Sequence, residues 1–299
     1  GYAKTQPLDT YQAQNRGGTG KRAASLKDED FVSKLFVANT HDTLLCFSSY
    51  GKVYWIKVYR LPRGGRNAKG RPIVNLLPLE KDERIQAVLP VKEFNDDQFI
   101  FMATETGSVK KTKLSAYSRP MKSGIKAIKL RDGDRVVNAE ITDGTKEIML
   151  FSNSGKSIRF KESDARPMGR VSQGVRGMRI DKDQKIISLV VLEEGNILVA
   201  TENGYGKQTL KDEFSIQKRG GKGVIAIQTS DRNGNLIGAK QVSTGDEVMF
   251  ISTSGNLIRT RTDDISIIGR NTQGVRLIRL SEDDNLLGME KVISEDDEE

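Results

Sequence analysis

The sequence predicts an all-β, propeller-like disc built from six four-stranded units. One glycine recurs at intervals of 50, 56, 48, 49 and 51 residues, each time opening a strand-like stretch: Gly1, Gly51, Gly107, Gly155, Gly204 and Gly255. A second glycine follows the first by 19 residues in five units and by 17 in the third: Gly20, Gly70, Gly124, Gly174, Gly223 and Gly274. Two glycines that recur together with a period of about fifty residues are typical of a protein that repeats one structural unit.

Each unit has the pattern of short strands joined by turns. Apolar and basic residues alternate after the first glycine, as in residues 155–160, which predicts a strand with one buried and one solvated face. A polar, basic loop leads to the second glycine, where another alternating strand begins. An acidic turn and two apolar strands, such as 186–191 and 196–200, complete the unit. Because one unit cannot bury both its faces, neighbouring units must stack.

The repeat predicts a single domain over residues 1–293, with units that begin near residues 1, 51, 107, 155, 204 and 255. The chain begins inside a unit, so we expect a fragment of a longer protein. Residues 294–299 are predicted to be a disordered acidic tail, because like charges repel one another. No apolar stretch is long enough to cross a membrane. The single cysteine, Cys46, lies in an apolar run and is expected to be a buried thiol in a reducing cytoplasm.

The charge balance predicts a polyanionic partner. The net charge is +8, and five of the acidic residues lie in the tail, so the rest of the chain is more basic still. Aromatic residues make up only 6% of the chain and lie mostly within apolar runs. A platform for single-stranded nucleic acid needs exposed rings among its cations, so the backbone of a duplex is the better target.

The basic residues gather at one position of the repeat, in the loop before the second glycine and at the start of the next strand. In unit order they are Arg16, Lys21 and Arg22; Arg63, Arg66, Lys69 and Arg71; Arg119, Lys122 and Lys126; Arg166, Arg170 and Arg176; Lys218, Arg219 and Lys222; Arg270 and Arg276. On a disc, equivalent positions form a belt, along which a duplex could be held through its phosphates.

Two of these loops contain denser glycine runs, in residues 14–20 and 217–223. Glycine has no Cβ, so backbone N–H groups there can approach a phosphate closely. We therefore assign DNA contact to Gly17, Gly18, Gln217, Gly220, Gly221 and Gly223. Turn geometry is the favoured interpretation of the other second glycines, Gly70, Gly124, Gly174 and Gly274. Three cations in residues 217–223, against one in residues 14–20, favour the fifth-unit run as the stronger anchor.

The chain offers no candidate catalytic or metal centre. Its one histidine, His41, is expected to be a turn or surface residue. Residues 231–235 resemble a calcium loop, but Leu236 stands where such a loop needs glycine. Lys21 follows a glycine as in a phosphate-binding loop, but Arg22 then replaces the required Ser or Thr. We expect no cofactor and no metal.

The run from Gln217 to Gly223 resembles the box Gln-Arg-Arg-Gly-Gly-Lys-Gly of the DNA gyrase A family, with Lys218 in place of an arginine. Residues 14–20 match it more loosely, since Asn15 and Thr19 replace basic residues. Segments 37–42, 70–75 and 269–275 also resemble gyrase A. The resemblance therefore covers essentially the whole chain and points to the C-terminal DNA-wrapping domain.

This resemblance implies a six-bladed β-pinwheel whose neighbouring blades exchange strands. It implies a rim that wraps duplex DNA in a right-handed sense and so lets gyrase introduce negative supercoils. The family places the cleavage tyrosine and the ATP site elsewhere, so none of the seven tyrosines here is expected to be catalytic. The implied partners are duplex DNA, gyrase B and the remainder of gyrase A, in an A2B2 enzyme at the bacterial nucleoid. In the family the box lies in the first blade.

Three alternatives stay open at this point. One is the C-terminal domain of a topoisomerase IV, which generally lacks an intact box and often has fewer blades. Another is a propeller that binds an acidic protein through its basic belt. The third, a propeller enzyme with a site in its central channel, is disfavoured because clustered His, Cys or paired acidic residues are missing from the sequence.

Overall fold

A computed structural model describes residues 2–5, 38–64 and 70–292 of the chain. The strands in these ranges are β1 Tyr2–Ala3, β2 Thr43–Ser48, β3 Lys52–Lys57, β4 Arg71–Pro72, β5 Ile85–Val91, β6 Phe99–Thr104, β7 Ser108–Lys113, β8 Ile125–Lys126, β9 Val136–Thr142, β10 Glu147–Ser152, β11 Lys156–Lys161, β12 Val175–Arg176, β13 Ile186–Leu192, β14 Asn196–Thr201, β15 Tyr205–Thr209, β16 Val224–Ile225, β17 Leu236–Val242, β18 Glu247–Ser252, β19 Leu257–Arg261, β20 Val275–Arg276 and β21 Leu286–Val292. Short 3-10 turns occupy Val58–Arg60, Ile73–Asn75, Leu114–Tyr117, Glu162–Asp164, Lys211–Glu213 and Thr262–Asp264.

These strands form five antiparallel blades. Blade I has the strand order β5-β2-β3-β8, blade II β9-β6-β7-β12, blade III β13-β10-β11-β16, blade IV β17-β14-β15-β20, and blade V the three strands β21-β18-β19. Among the strands of the described ranges, β1 pairs with β4 alone. The prediction of six four-stranded blades is therefore wrong: the described ranges form the arrangement of a five-bladed propeller.

The physical reason for the difference is the position of the first glycine. It does not start a blade but lies in the turn of the central hairpin, as Gly51 does between β2 and β3. The earlier strand of each hairpin precedes its glycine, and the described residues hold such a strand before Gly51, Gly107, Gly155, Gly204 and Gly255. Most of the first predicted unit, residues 6–37, lies outside the described residues.

The outermost strand of blades I to IV is contributed by the following repeat unit. Strands β8, β12, β16 and β20 are two residues long and begin directly after a second glycine. Each pairs with the outer strand of the preceding hairpin, as Val175 in β12 pairs with Val109 in β7. We call these four segments and β4 the exchanged strands. This exchange between neighbouring blades is the one that the family resemblance implies.

The hydrophobic core lies between the blades rather than within them. In β10, Ile148 and Leu150 pack against side chains of blade II, whereas Met149 and Phe151 pack against blade IV. A strand that is covered on both faces is expected to be apolar along its whole length. Burying each large apolar side chain contributes about 1.5–3 kcal/mol, so neighbouring blades stabilise one another. Cys46 is buried in β2, as predicted.

Stacking on both faces also corrects the expectation of one solvated face for the strand after the first glycine. The first five residues of β7 are all buried, and so are all five residues of β15. Two of the lysines in β7, Lys110 and Lys111, are 0% and 4% exposed. Lysines in this strand therefore do not mark a solvated face, because their ammonium groups donate to carbonyl oxygens inside the protein, Lys110 to Ala127 and Lys111 to Glu162.

Candidate nucleic-acid interface

The second glycine of a unit lets the basic loop close onto an earlier blade. Gly174 has a φ of +83°, and a Cβ there would lie 2.3 Å from the carbonyl oxygen of Val109. Gly223 has a φ of +73°, and its Cβ would lie 2.1 Å from the carbonyl oxygen of Ser157. Any other residue would be strained and would push the exchanged strand away from its partner. The geometry agrees with the interpretation that Gly174 is needed for the shape of its turn. Gly223 has the same geometry, so it has this structural role as well.

An arginine four residues before the second glycine reaches back to the previous exchanged strand. Arg170, in the loop that leads into β12, donates from Nη1 to the carbonyl oxygen of Lys126 in β8 at 2.7 Å. Arg270, in the loop that leads into β20, donates in the same way to the carbonyl oxygen of Ile225 in β16 at 2.6 Å. Both side chains are half-buried. A guanidinium has five N–H donors, so each retains donors for a further acceptor.

Arg219, in the box, occupies the same position but is held by two bonds. Its Nη1 donates to the carbonyl oxygen of Arg176 in β12, and its Nε donates to the carbonyl oxygen of Asp164 at 3.2 Å. The charge pattern alone predicts a simple surface cation at Arg219. We define the rim as the exchanged strands and the loops leading into them. The structure shows that Arg219 also joins the box to two earlier segments of this rim, at Asp164 and at Arg176.

Exposed cations lie beside these arginines. Lys126, Arg176 and Arg276 are exposed at the second residue after the second glycine. Three further exposed cations, which are not among the predicted residues, lie three residues later in the same units: Lys129, Arg179 and Arg279. The backbone N–H of Arg179 donates to the carbonyl oxygen of Gly221 at 2.8 Å, so this residue lies against the next loop. The recurring spacing from the second glycine is the signal that could have found them.

The structure places the predicted site residues in three groups. Exposed ones are Arg63, Arg71, Arg119, Lys122, Lys126, Arg166, Arg176, Lys218, Lys222 and Arg276. Half-buried ones are Arg170, Gln217, Arg219, Gly220, Gly221, Gly223 and Arg270. Outside the described residues lie Arg16, Gly17, Gly18, Lys21, Arg22, Arg66 and Lys69. Hydrogen bonds from Arg170, Arg219 and Arg270 to the preceding exchanged strands bring together the predicted residues from Lys126 to Arg276. No such bond joins Arg63, Arg71, Arg119 or Lys122 to them within the described ranges.

Arg276 shows how one of these cations is oriented. Its Nη2 donates to the hydroxyl of buried Tyr205 at 2.8 Å, and its guanidinium lies 5.4 Å from the ring centroid. Arg232 lies over the same ring at 4.9 Å. Hydrogen bonds from Arg232 and Arg276 to the phenol lower the pKa of Tyr205. Two guanidinium groups on one ring concentrate positive charge where β15 begins.

The structure also bears on two other kinds of site. In the part of the chain that it describes, no group of three or more His, Cys, Asp or Glu residues is placed to hold a metal. Within the same ranges, no helix is both long and apolar enough to cross a membrane.

A stack of antiparallel blades with exchanged outer strands and a cationic rim defines a β-propeller-type repeat protein. The sequence profile of the family described as "DNA gyrase C-terminal domain, beta-propeller" matches the chain in six segments, and the chain therefore belongs to this family; the segments are 1–39, 42–92, 98–143, 146–193, 195–243 and 246–293. This confirms the resemblance to the gyrase A family that the box indicates.

Individual proteins agree with this assignment. The chain is 54% identical to the DNA gyrase A protein of Escherichia coli K12 and 53% identical to that of Salmonella typhimurium, in both cases over 100% of this chain and 34% of the relative. It therefore spans about a third of the length of these relatives. Among solved structures it is similar to a DNA gyrase A C-terminal domain (TM-score 0.78, 28% identity, 96% of this chain and 94% of that one). It is also similar to the C-terminal domain of a DNA topoisomerase IV (TM-score 0.84, 27% identity, 98% and 90%).

Proposed function

We propose that this chain binds duplex DNA through its phosphates and wraps it around the rim in a right-handed sense, as the C-terminal domain of a gyrase A protein. The observation that carries the proposal is the recurrence of one arrangement along the rim. Three arginines are held by an earlier exchanged strand. For Arg170 and Arg219 the acceptor belongs to an exposed cation, Lys126 or Arg176, whereas for Arg270 it belongs to Ile225. Repetition at the spacing of the blades suits a ligand whose charge is also repeated.

The chemistry of the rim favours phosphates over bases. Base reading usually relies on a helix or a β-ribbon placed in a groove. The 3-10 turns in the described ranges are three or four residues long, and the exchanged strands have two residues. A held arginine loses less side-chain entropy when it binds phosphate, and its planar donors match two phosphate oxygens. The interface is therefore suited to positioning DNA without regard to sequence.

The site assignment follows from this arrangement. The DNA-binding residues proposed here are the predicted ones together with Lys129, Arg179 and Arg279. The chain contributes no catalytic residue and no cofactor in this proposal. It serves an ATP-dependent type II topoisomerase in the bacterial cytoplasm, with gyrase B and the remainder of gyrase A as partners in an A2B2 assembly. Residues 1–293 act as one wrapping domain, and residues 294–299 form an acidic tail.

The proposal is tested by titrating the domain with a linear duplex of arbitrary sequence at several salt concentrations. Each neutralised phosphate contributes about −0.9 to the slope of log K against log salt. A rim-long contact predicts a slope steeper than about −3, the value for roughly three contacts. Arg176→Ala should weaken binding. Lys92→Ala should not, because it removes an exposed cation just after β5, which lies at the edge of blade I opposite the exchanged strand β8. If the domain does not bind the duplex, or binds it with an affinity that does not depend on salt, an acidic protein partner is favoured and the proposal is contradicted.

A further inference from the structure

A lysine is buried directly beneath one of the DNA-facing loops. Lys110 lies in β7 and its side chain is fully buried. Its Nζ donates to the carbonyl oxygens of Ala127 at 2.6 Å, Arg170 at 2.6 Å and Gly169 at 3.2 Å. An ammonium group has three donors, and here all three bind backbone carbonyl groups in or directly beside the rim. Two of the acceptors belong to Arg170 itself and to the residue before it.

The same arrangement recurs two units further along the chain. Lys207, in β15, occupies the same position of its unit and is also fully buried. Its Nζ donates to the carbonyl oxygen of Gly269 at 2.7 Å, to that of Arg270 at 2.5 Å and to Oγ1 of Thr272 at 3.0 Å. Thus both Arg170 and Arg270 are held at their main chain by a lysine and at their side chain by an exchanged strand.

We propose that Lys110 and Lys207 are positioning residues for phosphate binding by Arg170 and Arg270. Each lysine fixes the peptide from which its arginine projects and places a second positive charge under the guanidinium. The proposal rests on the function proposed above. It divides the rim into loops that need a buried lysine and loops that do not.

The intervening loop shows what replaces the lysine. The corresponding residue in β11 is Ile158, and the loop above it is the glycine box. There the backbone N–H of Gly220 donates to the carbonyl oxygen of Gly177 at 2.8 Å. Gly177 corresponds to Ala127, the carbonyl that Lys110 binds. The box therefore satisfies this carbonyl with its own backbone, which the left-handed conformation of Gly220 (φ +88°) makes possible.

The two lysines are poised to respond to a bound phosphate. Burial, and then the charge of Arg170, lowers the pKa of Lys110 to about 7. Tyr117, a further titratable group, donates its hydroxyl to the same Ala127 carbonyl oxygen at 3.5 Å, and burial raises its pKa. Burial lowers the pKa of Lys207 to about 8, with Glu213 opposing the shift and Arg270 adding to it. A phosphate on the arginine favours the charged lysine, so affinity should fall as pH rises through this range.

The test compares three methionine substitutions at one repeat position: Lys110→Met, Lys207→Met and, as the matched control, Ile158→Met. The dissociation constant for a short duplex is measured at pH 6.5 and 8.5, with folding checked by circular dichroism. At pH 6.5 each lysine variant should bind about tenfold more weakly, the loss expected from one charge-assisted contact, and the control should bind like the parent. Lys110→Met should also lose part of the parent's pH dependence, which a purely structural role would leave unchanged.

A double variant provides the second arm. Arg170→Ala added to Lys110→Met should cause little further loss, because both changes remove the same contact. The inference is overturned if a folded Lys110→Met binds within twofold of the parent, or if the two losses are fully additive. Should neither lysine variant fold, a parent protein whose affinity is the same at both pH values would overturn it. If parent and Ile158→Met show no salt-dependent binding at all, the proposed function itself fails.

Discussion

Two alanine substitutions inside the box separate a folding role of its glycines from a DNA-binding role. Gly223→Ala places a methyl group at a φ of +73°, 2.1 Å from the carbonyl oxygen of Ser157. The left-handed backbone costs about 1–2 kcal/mol for a non-glycine residue. Relief of the collision must move β16 from β11, where Ser157 pairs with Val224, and a lost backbone hydrogen bond costs about 1 kcal/mol more. The stiffer unfolded chain offsets about 0.4–1 kcal/mol. We expect a net destabilisation of about 2 kcal/mol.

Gly221→Ala is the matched control. Gly221 has no positive φ, and its nearest neighbour would be Cδ1 of Ile158 at 3.6 Å, an ordinary contact. Its free energy of unfolding should stay within about 0.5 kcal/mol of the parent, so any loss of DNA affinity reports on the approach of phosphate to the backbone. Urea unfolding followed by circular dichroism, with duplex binding in parallel, measures both effects. Equal stability of the two variants would refute the packing argument.

Three further predictions concern the cations of the rim and the carboxylate of Asp284. Arg219→Ala should lower both stability and DNA affinity, because this side chain bonds the backbone of the rim. Lys222→Ala should lower affinity and make the slope of log K against log salt shallower by about 0.9, without changing the urea midpoint. Identical behaviour of the two variants would contradict this distinction. Arg179→Ala should weaken duplex binding in a titration, and unchanged affinity would exclude this residue from the interface. Burial alone would raise the pKa of Asp284, but hydrogen bonds, chiefly from Ser254, lower it from its ordinary 3.8 to about 2. Its stabilisation is therefore complete above about pH 4 and lost towards pH 2, so the stability gap between the parent and Asp284→Asn should shrink in acid unfolding over that range; a constant gap would show that the carboxylate is not the source.

The repeat could be predicted from the sequence because each unit needs glycine where backbones meet. Gly174 and Gly223 recur because no side chain fits there. The number of blades could not be predicted in the same way. A period shows how often a unit recurs but not where a sheet begins, and here the hairpin around Gly51 straddles the predicted boundary. Pairing of β12 with β7 joins residues far apart in sequence, which no local pattern reveals.

The candidate site was predicted in outline, since its exposed cations recur at one repeat position. Its internal organisation was not. Composition cannot show that Arg219 bonds two carbonyl groups while Lys218 is exposed. Lys110 was missed because a lysine in an alternating strand indicates a solvated face unless both faces are covered. Arg179 was missed because it lies beyond the exchanged strand, outside the basic loop that defines the predicted belt.

The central claim, that the rim wraps DNA in a right-handed sense, is tested most directly by topology. The domain is bound to nicked circular DNA, the nick is sealed with ligase, the protein is removed and the linking number is measured. A right-handed wrap holds positive writhe, so the linking number should rise with the amount of protein bound, and Arg176→Ala should reduce the rise. An unchanged or lowered linking number at saturating protein would contradict the account.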